Sequence, residues 1–254
     1  MGNSETSHKA RSRPALSRIS IMHYFKLVFR TLLFLGAVVD YVQYRFMSGS
    51  LPYISQPHPV MWVIWFVFAL EMTLRFFPGR LESMGCQKQF SRNYRPTGKG
   101  LPAGGNDHSR MWIALAWFAL NGAIGAIYFA GWIDKGILVL ISLAYSVCDM
   151  ICILFFCPFQ TWFMKNKCCG SCRIYNWDYA MMFTPLLFVG GFWAWSLLAL
   201  SLGLLFRWEY TYKLHPERFY EHSNLSLACA NCREKLCHHK KQLRSFLRKK
   251  AQRI

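Results

Sequence analysis

Ten cysteines stand in the 254-residue chain, and seven of them fall into two clusters where chemistry could be done. The first holds Cys157, Cys168, Cys169 and Cys172. The second holds Cys229, Cys232 and Cys237, with His238 and His239 directly behind it. Each contains a C-x-x-C pair, a spacing that lets two thiolates converge on one ion while the amides of the turn point at the sulfurs. Together Cys169, Cys172, Cys229 and Cys232 supply four thiolates, enough to close a tetrahedral zinc site. Cys157, Cys168, Cys237, His238 and His239 are further ligands within reach. An iron–sulfur cluster is the less favoured occupant, because the spacings do not follow the ferredoxin run. Such a centre serves structure or electron transfer. Cys86, Cys148 and Cys152 stand apart from both clusters.

A second kind of chemistry sits in apolar surroundings. Glu71, Arg75 and Asp149 interrupt hydrophobic stretches, and an ionisable group inside a membrane costs ~2.5–3.5 kcal/mol on insertion scales. Glu71 and Arg75 are four residues apart and are expected to neutralise each other on one helical face. Ser142, Tyr145, Asp149 and Cys152 recur at three- and four-residue spacing, a polar stripe that leads toward Cys157. The stripe reads either as a proton or ion path or as a hydrogen-bonding face between helices. The patterns H-E-x-x-H, G-x-S-x-G, G-x-G-x-x-G and the phosphate-binding P-loop are absent, so protease, esterase, dinucleotide and NTPase readings have no support. Whether the chain is an enzyme stays open.

The elements that must position these residues are hydrophobic. The chain is 54% hydrophobic and 17% aromatic, with only 17% charged residues and a mean hydropathy of +0.16. These values exclude disorder, a coiled coil and a soluble globule. Five apolar stretches, near 23–47, 60–77, 111–132, 136–156 and 180–206, predict an all-α polytopic membrane bundle, since lipid leaves no partner for unpaired backbone groups. A basic polar tail, 1–22, precedes the membrane domain 23–206, and a Cys/His-containing basic tail, 207–254, follows it. Pro185 and the pair Gly190-Gly191 break the fifth stretch.

Charge then sets a topology and contradicts it. The excess of 30 Lys+Arg over 12 Asp+Glu, net +18, concentrates in alternate segments. The N-terminus, loop 78–110 and loop 157–179 are basic, which places them in the cytoplasm of a bacterial cell. Five crossings would put the strongly basic tail outside, against the same rule. A re-entrant fifth segment, turning at Gly190-Gly191, removes the conflict and brings both cysteine clusters to one side. Lys240, Lys241, Arg244, Arg248, Lys249, Lys250 and Arg253 close the chain, with Leu243, Phe246 and Leu247 on one helical face. That pattern suits anionic lipid headgroups better than nucleic acid.

The expectation is therefore a multi-pass membrane protein with a Cys-ligated metal on its cytoplasmic face. The alternatives are a transporter or channel whose polar path passes Asp149 and Glu71, and a membrane scaffold with a lipid-binding tail.

Overall fold

The structure is a computed structural model that describes residues 17–47, 59–80, 82–101, 107–164, 168–232 and 234. Cys237, His238, His239 and the basic run 240–253 lie outside the described residues. The described residues form helices and turns, with one isolated bridge between Pro96 and Asn224 and no strand. The long helices are α1 (Arg18–Met47), α2 (Pro59–Arg75), α4 (Asp107–Phe129), α5 (Lys135–Leu154) and α7 (Gly191–Leu214). Two short ones, α3 (Met84–Gln87) and α6 (Asp178–Phe183), lie between them. Residues 108–129 of α4, α5 and α7 are each long and apolar enough to cross a membrane, which fits a membrane protein. The helix α1 carries more charge, and α2 is 17 residues long.

Side-chain contacts give each helix its direction. The start of α1 lies by the end of α5, where Tyr24 meets Phe155, and its later part lies by the start of α5, where Tyr41 donates to Asp134 at 2.8 Å. These two helices are antiparallel. Trp65 near the start of α2 reaches Ser196 near the start of α7, and the backbone oxygen of Phe76, just past α2, accepts from Arg207 near the end of α7. Those two are parallel. Arg110 at the start of α4 faces Glu209, while Gly125 further along packs on Phe188.

The fifth hydrophobic stretch folds back as two limbs of unequal length. Its first limb begins two residues earlier, at Asp178, and runs through α6 and a 3-10 turn, Thr184–Leu187, to Gly190. Its second limb, α7, is a full 24 residues and extends past residue 206. Gly190 and Gly191 have φ of +73° and +85°, the left-handed region where a Cβ is strained, and they turn the chain back. The return is direct: Arg173 and Trp177, ahead of the first limb, donate to Glu209, close to the end of the second, at 2.6 and 2.7 Å.

Among the described residues, one end of the bundle collects the start of α1, the segment 82–101, the cysteine loop and residues 215–232. Lys88, Arg95, Arg110, Arg173, Arg207 and Arg218 are at this basic end. The far end, among the described residues, carries Arg45 and Lys135 and an aromatic cluster of Trp62, Trp65, Phe192 and Trp193.

Candidate functional site

Three features converge toward the basic end. The first is a lattice of buried charge. Arg30, 1% exposed, donates to Glu71 at 2.7 Å, to Asp149 at 3.2 Å and to the Tyr179 hydroxyl at 3.3 Å. Tyr179 in turn donates to Glu71 at 2.8 Å. Arg75 donates to Asp178 at 2.6 Å and to Asn176 at 2.9 Å, and its guanidinium lies 4.4 Å from the centre of the Tyr179 ring. The expected pairing of Glu71 with Arg75 is therefore replaced by partners on other elements. Glu71 goes to Arg30 and to Lys26 on α1, and Arg75 goes to the residues that open α6. Packing decides this. Cross-helix partners satisfy several oxygens at once, whereas an intrahelical pair would take Glu71 from Arg30 and leave Asp178 buried without the Arg75 guanidinium.

The second feature is a chamber of about 300 Å³ between α4, α5, α6 and the cysteine loop. Cys148, Cys152, Cys157, Cys169 and Cys172 line it, together with Asp149, Asp178 and Gln160. The rest of the lining is largely apolar and aromatic, including Trp117, Tyr145, Phe159, Met181 and Met182. Local sequence explains the shape. The helix α5 ends at Leu154, Pro158 follows with no N–H to continue it, and a π turn, Phe159–Phe163, swings the chain under the chamber. Gln160 fixes two sulfurs: its backbone N–H donates to Cys157 Sγ at 3.4 Å, and its side-chain oxygen accepts from Cys169 Sγ at 2.7 Å. Cys152 lies in hydrogen-bond contact with Cys157. Of the polar stripe on α5, Tyr145, Asp149 and Cys152 reach the chamber, with Tyr145 against Trp117 at 4.8 Å between ring centres.

The third feature is the junction of the two cysteine segments. Lys88, fully buried, donates to the carbonyls of Gly170 (3.1 Å) and Cys172 (2.8 Å) and faces the rings of Trp208 and Phe219. Burial pulls its pKa down to about 7. Gly85 is the meeting point. A Cβ there would collide with the Tyr175 ring at 2.7 Å, so glycine alone fits. Its amide nitrogen is 3.9 Å from where a Cβ on Gly170 would sit; it donates to Ser83 Oγ at 3.0 Å and lies beside the Glu234 carboxylate. That carboxylate also accepts from Ser83 Oγ at 2.7 Å and Met84 N at 2.6 Å, capping α3. The Glu234 carbonyl accepts from Ser17 and Ser20 at 3.1 and 2.7 Å, which staples the tail to the start of α1. Burial raises the pKa of Glu234. Arg75 and Lys26 outweigh burial at Glu82 and hold that carboxyl below its ordinary value.

Measured against the sequence, Cys157, Cys169 and Cys172 share the chamber, Cys168 is half-buried beside them, Cys229 is exposed and Cys232 half-buried. Among the described residues no three His, Cys, Asp or Glu side chains are gathered as a ready metal-ligand set. Sequence reasoning missed Cys148, Gln160, Arg30 and Lys88. Cys148 lies next to the polar stripe and was legible there; Lys88 carries no signal in the sequence. No protein-family model, no curated protein and no solved structure matches this chain.

Proposed function

We propose that this is a multi-spanning membrane protein that holds a metal ion between its two cysteine segments at a cytoplasmic, basic end. Zinc is favoured over an iron–sulfur cluster, and the ion serves structure or electron transfer. One observation carries the reading: Gly85 adjoins both Gly170, inside the first segment, and Glu234, two residues past Cys232. Chain segments that are 64 residues apart in sequence, as 234 less 170, meet at one amide. Cys169, Cys172, Cys229 and Cys232 are the proposed ligands, and the thiols must turn toward one another to close the site. Cys157 and Cys168, and beyond the described residues Cys237, His238 and His239, are the further donors. The positive charge gathered at this end supports a cytoplasmic placement of both termini. The run 240–253, following directly, is proposed to rest on anionic headgroups.

Metal analysis with an absorption spectrum, on protein purified anaerobically, tests the reading. About one zinc ion per chain is expected, in a colourless sample, falling away in the Cys172→Ser/Cys232→Ser variant. Visible absorbance with bound iron would make the centre a cluster. Metal-free protein that takes up neither would defeat the proposal.

Transport is the second reading, favoured by Asp149. This carboxylate lines the chamber and also belongs to a lattice in which Glu71, Glu82, Asp149 and Asp178 face Lys26, Arg30 and Arg75. Those named groups leave one carboxylate in excess, suited to a proton or cation. Cation flux into proteoliposomes that is lost in Asp149→Asn would move the reading to transport.

A further inference from the structure

The chamber invites a ligand that the proposed metal does not explain. Its walls include four aromatic rings and two thioethers beside the thiols, and a cavity near 300 Å³ has the size of a ring-sized guest rather than an ion. Cys148 lines the chamber and is also exposed on the outer surface of α5. One wall of the chamber therefore reaches the outer face of a helix that is apolar enough to cross a membrane. A guest entering past Cys148 arrives from the lipid phase. Within the chamber, Cys152 and Cys157 are already in contact, five residues apart across the end of α5. Two thiols in contact in an apolar cavity are suited to one two-electron reaction, formation of a disulfide.

We infer that the chamber binds the ring of a lipid-soluble quinone and that Cys152 and Cys157 exchange two electrons with it. The step balances without another reactant. Both S–H bonds break, one S–S bond forms, and the two electrons and two protons pass to the quinone, whose two carbonyls become the hydroxyls of a quinol. The reverse step oxidises the quinol and restores both thiols. Trp117, Tyr145 and Phe159 supply faces for a planar ring, and Gln160, which donates to Cys157 from its backbone N–H, fixes the sulfur that the ring must approach. Asp149, beside the pair, accepts from Arg30 and offers a second oxygen through which a proton can pass. The inference does not rest on the metal: the reacting pair lies outside the four proposed ligands, and Cys157, named above as a further donor, is not needed to close a four-thiolate site.

The full-length protein in lipid nanodiscs, reduced and held without oxygen, is mixed with decyl-ubiquinone. Quinol is read by absorbance, thiols by alkylation and peptide mapping, and ring binding by quenching of tryptophan fluorescence. One quinol should form for each two thiols lost, with the disulfide mapped to Cys152 and Cys157. Cys152→Ser and Cys157→Ser should each abolish quinol formation while quenching by the quinone persists, which shows that the variants still fold and bind. Three results would overturn the inference: quinol formation that survives in both variants, quinone left unreduced by the unaltered protein, or a thiol carrying a covalent quinone adduct with no disulfide. Loss of metal in the Cys172→Ser/Cys232→Ser variant without loss of quinol formation would separate this chemistry from the proposed metal centre.

Discussion

The two ends of the bundle solve different problems. At the far end, polar groups are few among the described residues, and the helices are closed by shape. Trp62 and Trp193 meet with ring centres 3.9 Å apart, Phe188 sits where a Cβ on Gly125 would clash at 2.5 Å, and two glycines turn the chain. At the basic end and just inside it, charge and hydrogen bonds do the closing: Arg30, Arg75, Lys88 and Glu234 each tie together elements far apart in sequence. Shape tolerates lipid on its outside. Buried charge does not tolerate a missing partner. The contrast teaches where function can be lodged, because the thiol chamber and the cysteine junction both lie where polar ties hold the backbone.

If that contrast is right, the largest loss should come from the charged lattice. Arg30→Met leaves Glu71 and Asp149 without their shared guanidinium, and breaking a buried pair from one side costs ~3–5 kcal/mol. Thermal unfolding in detergent should show a clear drop in midpoint, and Asp149→Asn in the Arg30→Met background should recover part of it. An unchanged midpoint would mean that the lattice is solvated and does not hold the bundle.

The far end should respond less. Gly190→Ala and Gly191→Ala place a Cβ at φ of +73° and +85°. Such strained backbone costs ~1–3 kcal/mol. The same unfolding assay should rank both below Arg30→Met, and a larger loss at the glycines would invert the comparison.

Much of this architecture was legible, and the limit has a physical cause. Hydropathy located the long helices, because lipid or core demands apolar length. Pro185 with Gly190-Gly191 located the turn of the hairpin, because few residues allow the backbone to reverse there. The stripe of Tyr145, Asp149 and Cys152 was visible from helical spacing. Partner choice was not. Spacing reports neighbours on the same helix, so Glu71 and Arg75 read as a pair, while their observed partners come from α1 and the start of α6. Asp178 reads in the sequence as a cap for the helix that follows, and only the structure shows that it pairs with Arg75. Lys88 had no signal at all: a lysine in a basic loop reads as solvated, and only the rings of Trp208 and Phe219 with two carbonyls reveal a buried one.

Lys88 gives the comparison a pH axis. Its pKa in the fold is about 7 against an ordinary 10.5, so between those values the unfolded chain binds the more protons and stability rises with pH. That contribution is fully present above 10.5 and is lost as pH falls toward 7. Midpoints measured across this window should climb in the unaltered protein and climb less in Lys88→Met.

The smallest effect should belong to Glu234→Gln. Burial raises this carboxyl above its ordinary pKa, so its contribution favours the fold at low pH and weakens as pH rises through the folded value. Glutamine removes the buried charge and with it that pH dependence. It keeps an acceptor oxygen for Ser83 or Met84 but loses the capacity of a full carboxylate to serve both along with Gly85. Relief of desolvation and loss of hydrogen bonding oppose each other, and the net change should stay within ~1 kcal/mol. Glu234→Ala, with no acceptor, should cost more and should speed proteolysis near residue 234, because Ser83 Oγ and Met84 N lose their shared acceptor. The staple through the Glu234 carbonyl to Ser17 and Ser20 survives in either variant, since it uses main-chain oxygen. Equal proteolysis of Glu234→Gln and Glu234→Ala would therefore show that the charge, and not the hydrogen-bond geometry, holds the tail against Gly85.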